Sequence, residues 1–260
     1  MKRSILSIAV LLAWALPVHA EVELRPVEYR DGDSVLEGYL AVDTAVPGKR
    51  PGILVVHEWK GLNDYSKGRA EQLAKMGYAA FAADMYGKGV YAKDHEEAGK
   101  LAGAFRNDRQ MMRQRINAAL EVLKSQPEVD PDKIGAIGYC FGGMTVLELA
   151  RSGAPGVLGV ASFHGSPQTP VPAQPGAVKA SVLFFVGADD PHITADQVAA
   201  FEKEMKEAGV DYRVIVYPGA VHSFTVPEAG NDPSTGAAYN AEADRKSWQK
   251  MKEFFARIFS

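Results

Sequence analysis

The sequence predicts an α/β domain with a mostly parallel central sheet flanked by helices. Three features carry that expectation: apolar runs that do not alternate, helical stretches with one apolar stripe between them, and an opening pair of segments joined by a turn dipeptide. Val22 to Arg30 and Ser34 to Val42 flank Asp31-Gly32, a hairpin signal, so the chain should begin with two antiparallel strands. Continuous apolar runs follow at Ile53 to Val56, Tyr78 to Ala82, Ile134 to Tyr139, Val157 to Ala161, Val182 to Val186 and Val214 to Tyr217. Strands covered on both faces, as parallel strands are, need no polar side and therefore read as unbroken apolar runs.

Between the runs, Met112, Ile116, Leu120 and Leu123 recur at helical spacing, as do Val198, Phe201 and Met205. Gly209 then stands where a helix C-terminus favours a residue that tolerates a left-handed backbone. The last helix carries Trp248, Met251, Phe255 and Ile258 on one side. Strands alternating with helices build a sheet through right-handed crossovers. An antiparallel pair followed by this alternation is the order of the α/β-hydrolase fold, here a single domain over residues 21–260. Pro167 to Pro175 reads as a loop between strands, too short to form a cap domain.

Residues 1–20 read as a secretory signal peptide. Lys2 and Arg3 supply the positive start, Ile5 to Pro17 is apolar but short for a membrane span, and Val18-His19-Ala20 offers small residues for cleavage after Ala20. A retained anchor is the alternative. Export predicts a secreted protein, in a bacterium a periplasmic one. The chain has one cysteine, so no internal disulfide can form, and Cys140 needs another explanation. A net charge of −3 argues neither for nucleic acid nor for an anionic membrane surface as a partner, and neither is expected. The partner expected is a small molecule, and the protein is expected to be a monomer. The sequence shows no Cys/His cluster at metal-ligand spacing.

The sharpest motif is Gly138-Tyr139-Cys140-Phe141-Gly142-Gly143, between an apolar strand and a helix through Met144 and Leu147. This is the G-x-S-x-G turn with cysteine in the serine position. The turn strains the nucleophile's backbone, and its glycines make room against neighbouring elements. A thiol at a helix N-terminus is favoured as the thiolate, its reactive form. The backbone N–H of Phe141 can donate to an oxyanion at the same place. A small apolar core cysteine is the bland alternative.

The fold requires nucleophile, acid and base in that chain order. The run Val182 to Val186 leads into Gly187-Ala188-Asp189-Asp190-Pro191-His192-Ile193, and active sites lie beyond the carboxyl ends of parallel strands. Asp190, three residues from Gly187 and three from Ile193, is preferred as the acid; Asp189 competes and could instead be a solvated turn residue. Val214 to Tyr217 leads into Pro218-Gly219-Ala220-Val221-His222, which makes His222 the base. His57-Glu58-Trp59-Lys60-Gly61 follows another strand and occupies the loop that supplies a second oxyanion donor, the backbone of Trp59. Glu58 is an unusual carboxylate to find beside a nucleophile, and a salt-bridged loop residue is the alternative reading. His95 is expected on the surface of a charged helix, His164 near the pocket, and His192 in a loop within reach of substrate.

Together these segments resemble the dienelactone hydrolase family (carboxymethylenebutenolidase-like proteins) over most of the mature chain. The resemblance rests on His57-Glu58-Trp59 with Gly61-Leu62-Asn63, Ala83-Asp84-Met85-Tyr86, Gly138 to Gly143, Gly187 to Pro191, and Gly219 to Phe224. It implies a Cys140–His222–Asp190 triad, no cofactor, and a part for Glu58 in activating the thiol as substrate binds. The family's arginines for an anionic lactone are expected near Glu97 and at Thr225-Val226-Pro227, where this chain has no basic residue. Lys60, Lys88 or Lys100 would have to substitute, and lysine lacks the bidentate fork. The expectation is therefore a neutral or differently charged small ester, lactone or thioester, cleaved through an acyl-enzyme. The alternatives are an acyltransferase or peptidase on the same triad, and a non-catalytic ligand-binding or redox-sensing protein.

Overall fold

The computed structural model describes residues 21–260. The proposed signal peptide lies outside them. Strands β1 (Val22–Asp31) and β2 (Ser34–Asp43) form the expected hairpin, with Gly32 at φ 56° in its turn. Then follow β3 (Arg50–Val56), α1 (Asp64–Ala74), β4 (Ala79–Ala83), α2 (His95–Asn107), α3 (Arg109–Lys124), β5 (Val129–Tyr139), α4 (Phe141–Arg151), β6 (Val157–Phe163), β7 (Ser181–Gly187), α5 (Ala195–Glu207), β8 (Tyr212–Tyr217) and α6 (Ala241–Ile258). The described strands form one eight-stranded sheet in the order β1-β2-β4-β3-β5-β6-β7-β8. Only the β1–β2 and β2–β4 pairings are antiparallel. Every non-alternating run proposed from the sequence is a strand of this sheet. Residues 167–175 form a loop between β6 and β7, as expected.

Two apolar layers cover the sheet. On one side Phe81, Leu54, Ala136 and Phe184 meet α3, α4 and α5 through Met112, Ile116, Leu147 and Phe201. On the other, Ile53, Ile137, Phe163 and Phe185 meet α1 and α6 through Leu73, Met251 and Phe255. All eleven residues of α4 are buried, so the helix behind Cys140 is held from every side rather than by one stripe. Burying Phe141 or Phe255 stabilises the fold by about 3–5 kcal/mol each, judged by what truncation of such side chains costs. Two features were not foreseen. β5 begins at Val129 and pairs with β3 through a register shift at Pro51/Gly52, because Pro131 interrupts the apolar pattern without ending the strand. The connection from β8 to α6 holds two short 3-10 turns, Pro227–Ala229 and Pro233–Thr235.

Candidate active site

Cys140 sits between the end of β5 and the start of α4 with φ 52° and ψ −110°, a left-handed backbone no ordinary element would give it. The turn is possible only because its neighbours are glycines. A Cβ on Gly138 would lie 2.1 Å from the Gly142 carbonyl oxygen, and one on Gly142 would lie 2.2 Å from that of Val56. The sequence thus folds here by close backbone approach, which brings the thiol to the first turn of a helix whose early N–H groups, that of Phe141 included, lack intrahelical acceptors.

The three expected side chains meet. His222 Nε2 lies 3.1 Å from Cys140 Sγ, and His222 Nδ1 lies 2.8 Å from Asp190 Oδ2. Asp190 is 5% exposed and also accepts the His192 backbone N–H at 2.8 Å, whereas Asp189 faces solvent. The choice between the two aspartates falls to Asp190 on burial and distance. Burial opposes a charge on His222, but the Cys140 sulfur and Asp190 outweigh it and push the imidazolium up to about 10. The geometry is that of a thiol–imidazole pair oriented by a carboxylate.

Glu58 lies in the loop after β3 and accepts a hydrogen bond from Ser223 Oγ at 3.3 Å; burial raises its pKa above the ordinary carboxylate range, against the opposing pull of His222. The loop is pinned from behind. His57, fully buried, donates from Nδ1 to the Glu58 carbonyl and accepts the Met85 N–H on Nε2 at 3.2 Å. Burial keeps it neutral, as those two bonds require. Tyr86 donates its hydroxyl to the Trp59 carbonyl at 2.9 Å. Glu58, Trp59, Cys140, His164, His192 and His222 all line a cavity of about 1070 Å³, at the upper end of the usual range for small-molecule sites. Among the described residues, no cluster of His, Cys, Asp or Glu could hold a metal, and no helix is long and apolar enough to cross a membrane.

The sequence misjudged the cations and left the part of His95 unread. His95 is exposed, as expected, but it also lines the cavity and packs on Trp59 with ring centroids 5.2 Å apart. Of the three lysines considered, Lys60 reaches the cavity; Lys88 pairs with Glu28 and Glu37, and Lys100 with Glu96. Arg106 and Arg109 also line the cavity, from the junction of α2 and α3. The signal was present: Asp108 ends α2 and caps α3 by accepting the Met111 N–H, and the two arginines stand on either side of that junction.

A model of the dienelactone hydrolase family matches residues 36–259. The chain belongs to the dienelactone hydrolase family. It is a hydrolase of the ester- and lactone-cleaving kind. It is 30% identical over 234 residues to a Synechocystis sp. protein assigned as a carboxymethylenebutenolidase, covering 85% of this chain and 91% of that one. It is 31% identical over 206 residues to a Bradyrhizobium sp. protein assigned as a 2-oxo-3-(5-oxofuran-2-ylidene)propanoate lactonase, covering 75% and 80% of the two chains. Among solved structures it resembles a dienelactone hydrolase-like promiscuous phosphotriesterase from metagenomic libraries, at a TM-score of 0.86 and 41% identity over 92% of this chain and 99% of that one.

Proposed function

We propose that this dienelactone hydrolase-family protein is exported and cleaves a small ester, lactone or thioester through Cys140, His222 and Asp190. The observation that carries the reading is the 3.1 Å Sγ–Nε2 contact beside the cavity, backed by the 2.8 Å Nδ1–Oδ2 contact. The Cys140 sulfur attacks the carbonyl carbon, and the developing oxyanion is met by the backbone N–H groups of Phe141 and Trp59. The carbon–oxygen bond of the ester breaks, and His222 gives its proton to the leaving alkoxide. In a lactone that alkoxide stays attached to the acyl-enzyme. His222 then takes a proton from water, the hydroxide attacks the thioester, and the acid leaves as the sulfur regains its negative charge. Glu58, whose pKa burial raises above the ordinary carboxylate range, lies beside the pair and in its charged form disfavours the thiolate before substrate arrives.

The test is hydrolysis of short p-nitrophenyl esters by the mature protein and by Cys140→Ala, with and without a thiol reductant. We expect activity in the first and a loss of at least about 1000-fold in the second. Equal rates in the two would overturn Cys140 as nucleophile. The relative that is a promiscuous phosphotriesterase makes a p-nitrophenyl phosphotriester the second substrate to assay, with phosphorus in place of the carbonyl carbon. Export is tested separately by the N-terminal residue of protein recovered from the periplasm, expected to be Glu21.

A further inference from the structure

His164 is used by none of the steps above, yet it is fully buried against the nucleophile. It follows β6 with φ 41°. Its Nδ1 accepts the backbone N–H of Cys140 at 3.1 Å, and its Nε2 lies 2.9 Å from Thr225 Oγ1. Thr225 is on the loop that carries His222. One imidazole therefore bridges the backbone of the nucleophile and the loop of the base. We infer that His164 is a positioning residue, a strut between these two segments that sets the Cys140–His222 separation; the inference rests on Cys140 being the nucleophile.

Three observations converge on this. The first is protonation. Because Nδ1 accepts, the ring hydrogen is on Nε2 and is donated to Thr225; a second proton would set Nδ1–H against the Cys140 N–H. The groups facing the ring are Cys140 and Tyr139 of the elbow, His222 and Thr225 after β8, and Tyr65 and Arg69 of α1. Burial first, then the charges of His222 and Arg69, hold the His164 imidazole well below the ordinary histidine range, so the strut stays neutral. The second is anchorage. Tyr65 donates to Thr225 Oγ1 at 2.8 Å, Arg69 donates to the Thr225 carbonyl at 3.0 Å, and Arg69 pairs with Asp244 of α6 at 2.6 Å. The far end of the strut is thus fixed to two helices and is no floating loop. The third is strain. Among the described residues, the non-glycine positions with positive φ are Cys140, His164 and Ser223. They are the nucleophile, the strut and the neighbour of the base. Such backbone persists only where surrounding contacts over-determine it, and the Cys140 N–H is held twice, by His164 Nδ1 at 3.1 Å and by the Phe163 carbonyl at 3.0 Å.

The experiment compares His164→Leu, His164→Asn and Thr225→Val in the full chain. It reads kcat and KM on p-nitrophenyl acetate and the pH profile of Cys140 alkylation by iodoacetamide. Sub-ångström loss of alignment should lower kcat in His164→Leu by about 10- to 100-fold while KM moves by less than about 3-fold. The alkylation profile should shift toward higher pH, because His222 is no longer held against the sulfur. His164→Asn, whose Oδ1 can accept the Cys140 N–H, should recover most of the loss. Thr225→Val cuts the other end of the strut and should lower kcat by a smaller factor with the same change in profile; it serves if His164→Leu does not fold. A folded His164→Leu or Thr225→Val with wild-type kcat and profile would overturn the inference, as would leucine and asparagine variants equally impaired with an unchanged profile. Cys140→Ala separates the two readings. If it stays active, the nucleophile assignment fails; if it is inactive while His164→Leu is fully active, only the role of His164 fails.

Discussion

Glu148 and Asp190 are both buried carboxylates, and the fold satisfies them differently. Glu148, on α4, meets Arg113 at 2.7 Å and Arg151 at 3.1 Å, with Arg109 at 3.9 Å, and Arg151 continues to Glu204 of α5 at 2.8 Å. Every one of these partners is a fixed cation, and the network clamps α3, α4 and α5 over one face of the sheet. Asp190 has a single charged partner, His222, whose other nitrogen faces a thiol at a cavity. Buried charge is therefore not in itself a mark of chemistry. What distinguishes the second region is a titratable chain that ends at open space, together with left-handed backbone at Cys140 and Ser223. The Glu148 network touches the cavity through Arg109, but its members carry no histidine or thiol and no left-handed backbone.

That contrast can be broken by exchanging each carboxylate for its amide. Asp190→Asn should lower kcat by about 1000- to 10,000-fold with little change in Tm, because the amide leaves His222 in the wrong tautomer. The same variant should alter the pH profile. In the wild type, kcat/KM should fall on the alkaline side as His222 loses its proton near pH 10. With one of the groups that raise it removed, that limb should move toward neutral pH; an unmoved limb would mean that Asp190 does not hold up the imidazolium. Glu148→Gln should do the reverse. It leaves buried guanidiniums short of a counter-charge, costs about 3–5 kcal/mol of stability by denaturant titration, and leaves kcat per folded molecule near wild type. A large kcat loss there would erase the distinction between the two regions.

Smaller effects sharpen it. Arg106→Ala should raise KM about 3- to 10-fold for a carboxylate-bearing ester and leave a neutral ester of the same size unaffected, as expected for a charge-assisted contact at a partly exposed site. Equal effects on both esters would deny Arg106 a part in substrate charge recognition. Glu58→Gln should speed iodoacetamide labelling of Cys140 at neutral pH, and unchanged or slower labelling would count against a quieting carboxylate. A carboxyl whose folded pKa is raised holds its proton more tightly in the native state, so its ionised form costs stability above its ordinary value of 4.5. The gain in Tm from Glu58→Gln should accordingly grow as pH rises above 4.5.

The order of strands and helices was legible in the sequence, because a strand buried on both faces has nowhere to place a polar side chain and so cannot hide its pattern. The elbow around the proposed nucleophile was legible for a related reason: close backbone approach at Gly138 and Gly142 admits no Cβ, which leaves a glycine signature around Cys140. His222 and Asp190 followed from chain order at strand ends, though the neighbouring carboxylates at 189 and 190 were separable only in part, since burial is not written in two adjacent identical letters. The tertiary structure alone decided the rest. It brought Arg106 and Arg109 into the cavity from the junction of α2 and α3 at Asp108, and it set His164 between Cys140 and Thr225, residues far apart in the chain. Local pattern records what each segment must bury, whereas which distant side chains come to share one hydrogen bond depends on how the segments dock. The sequence by itself therefore determined the fold and pointed to the proposed reacting residues, and the packing decided the charges and the proposed strut around them.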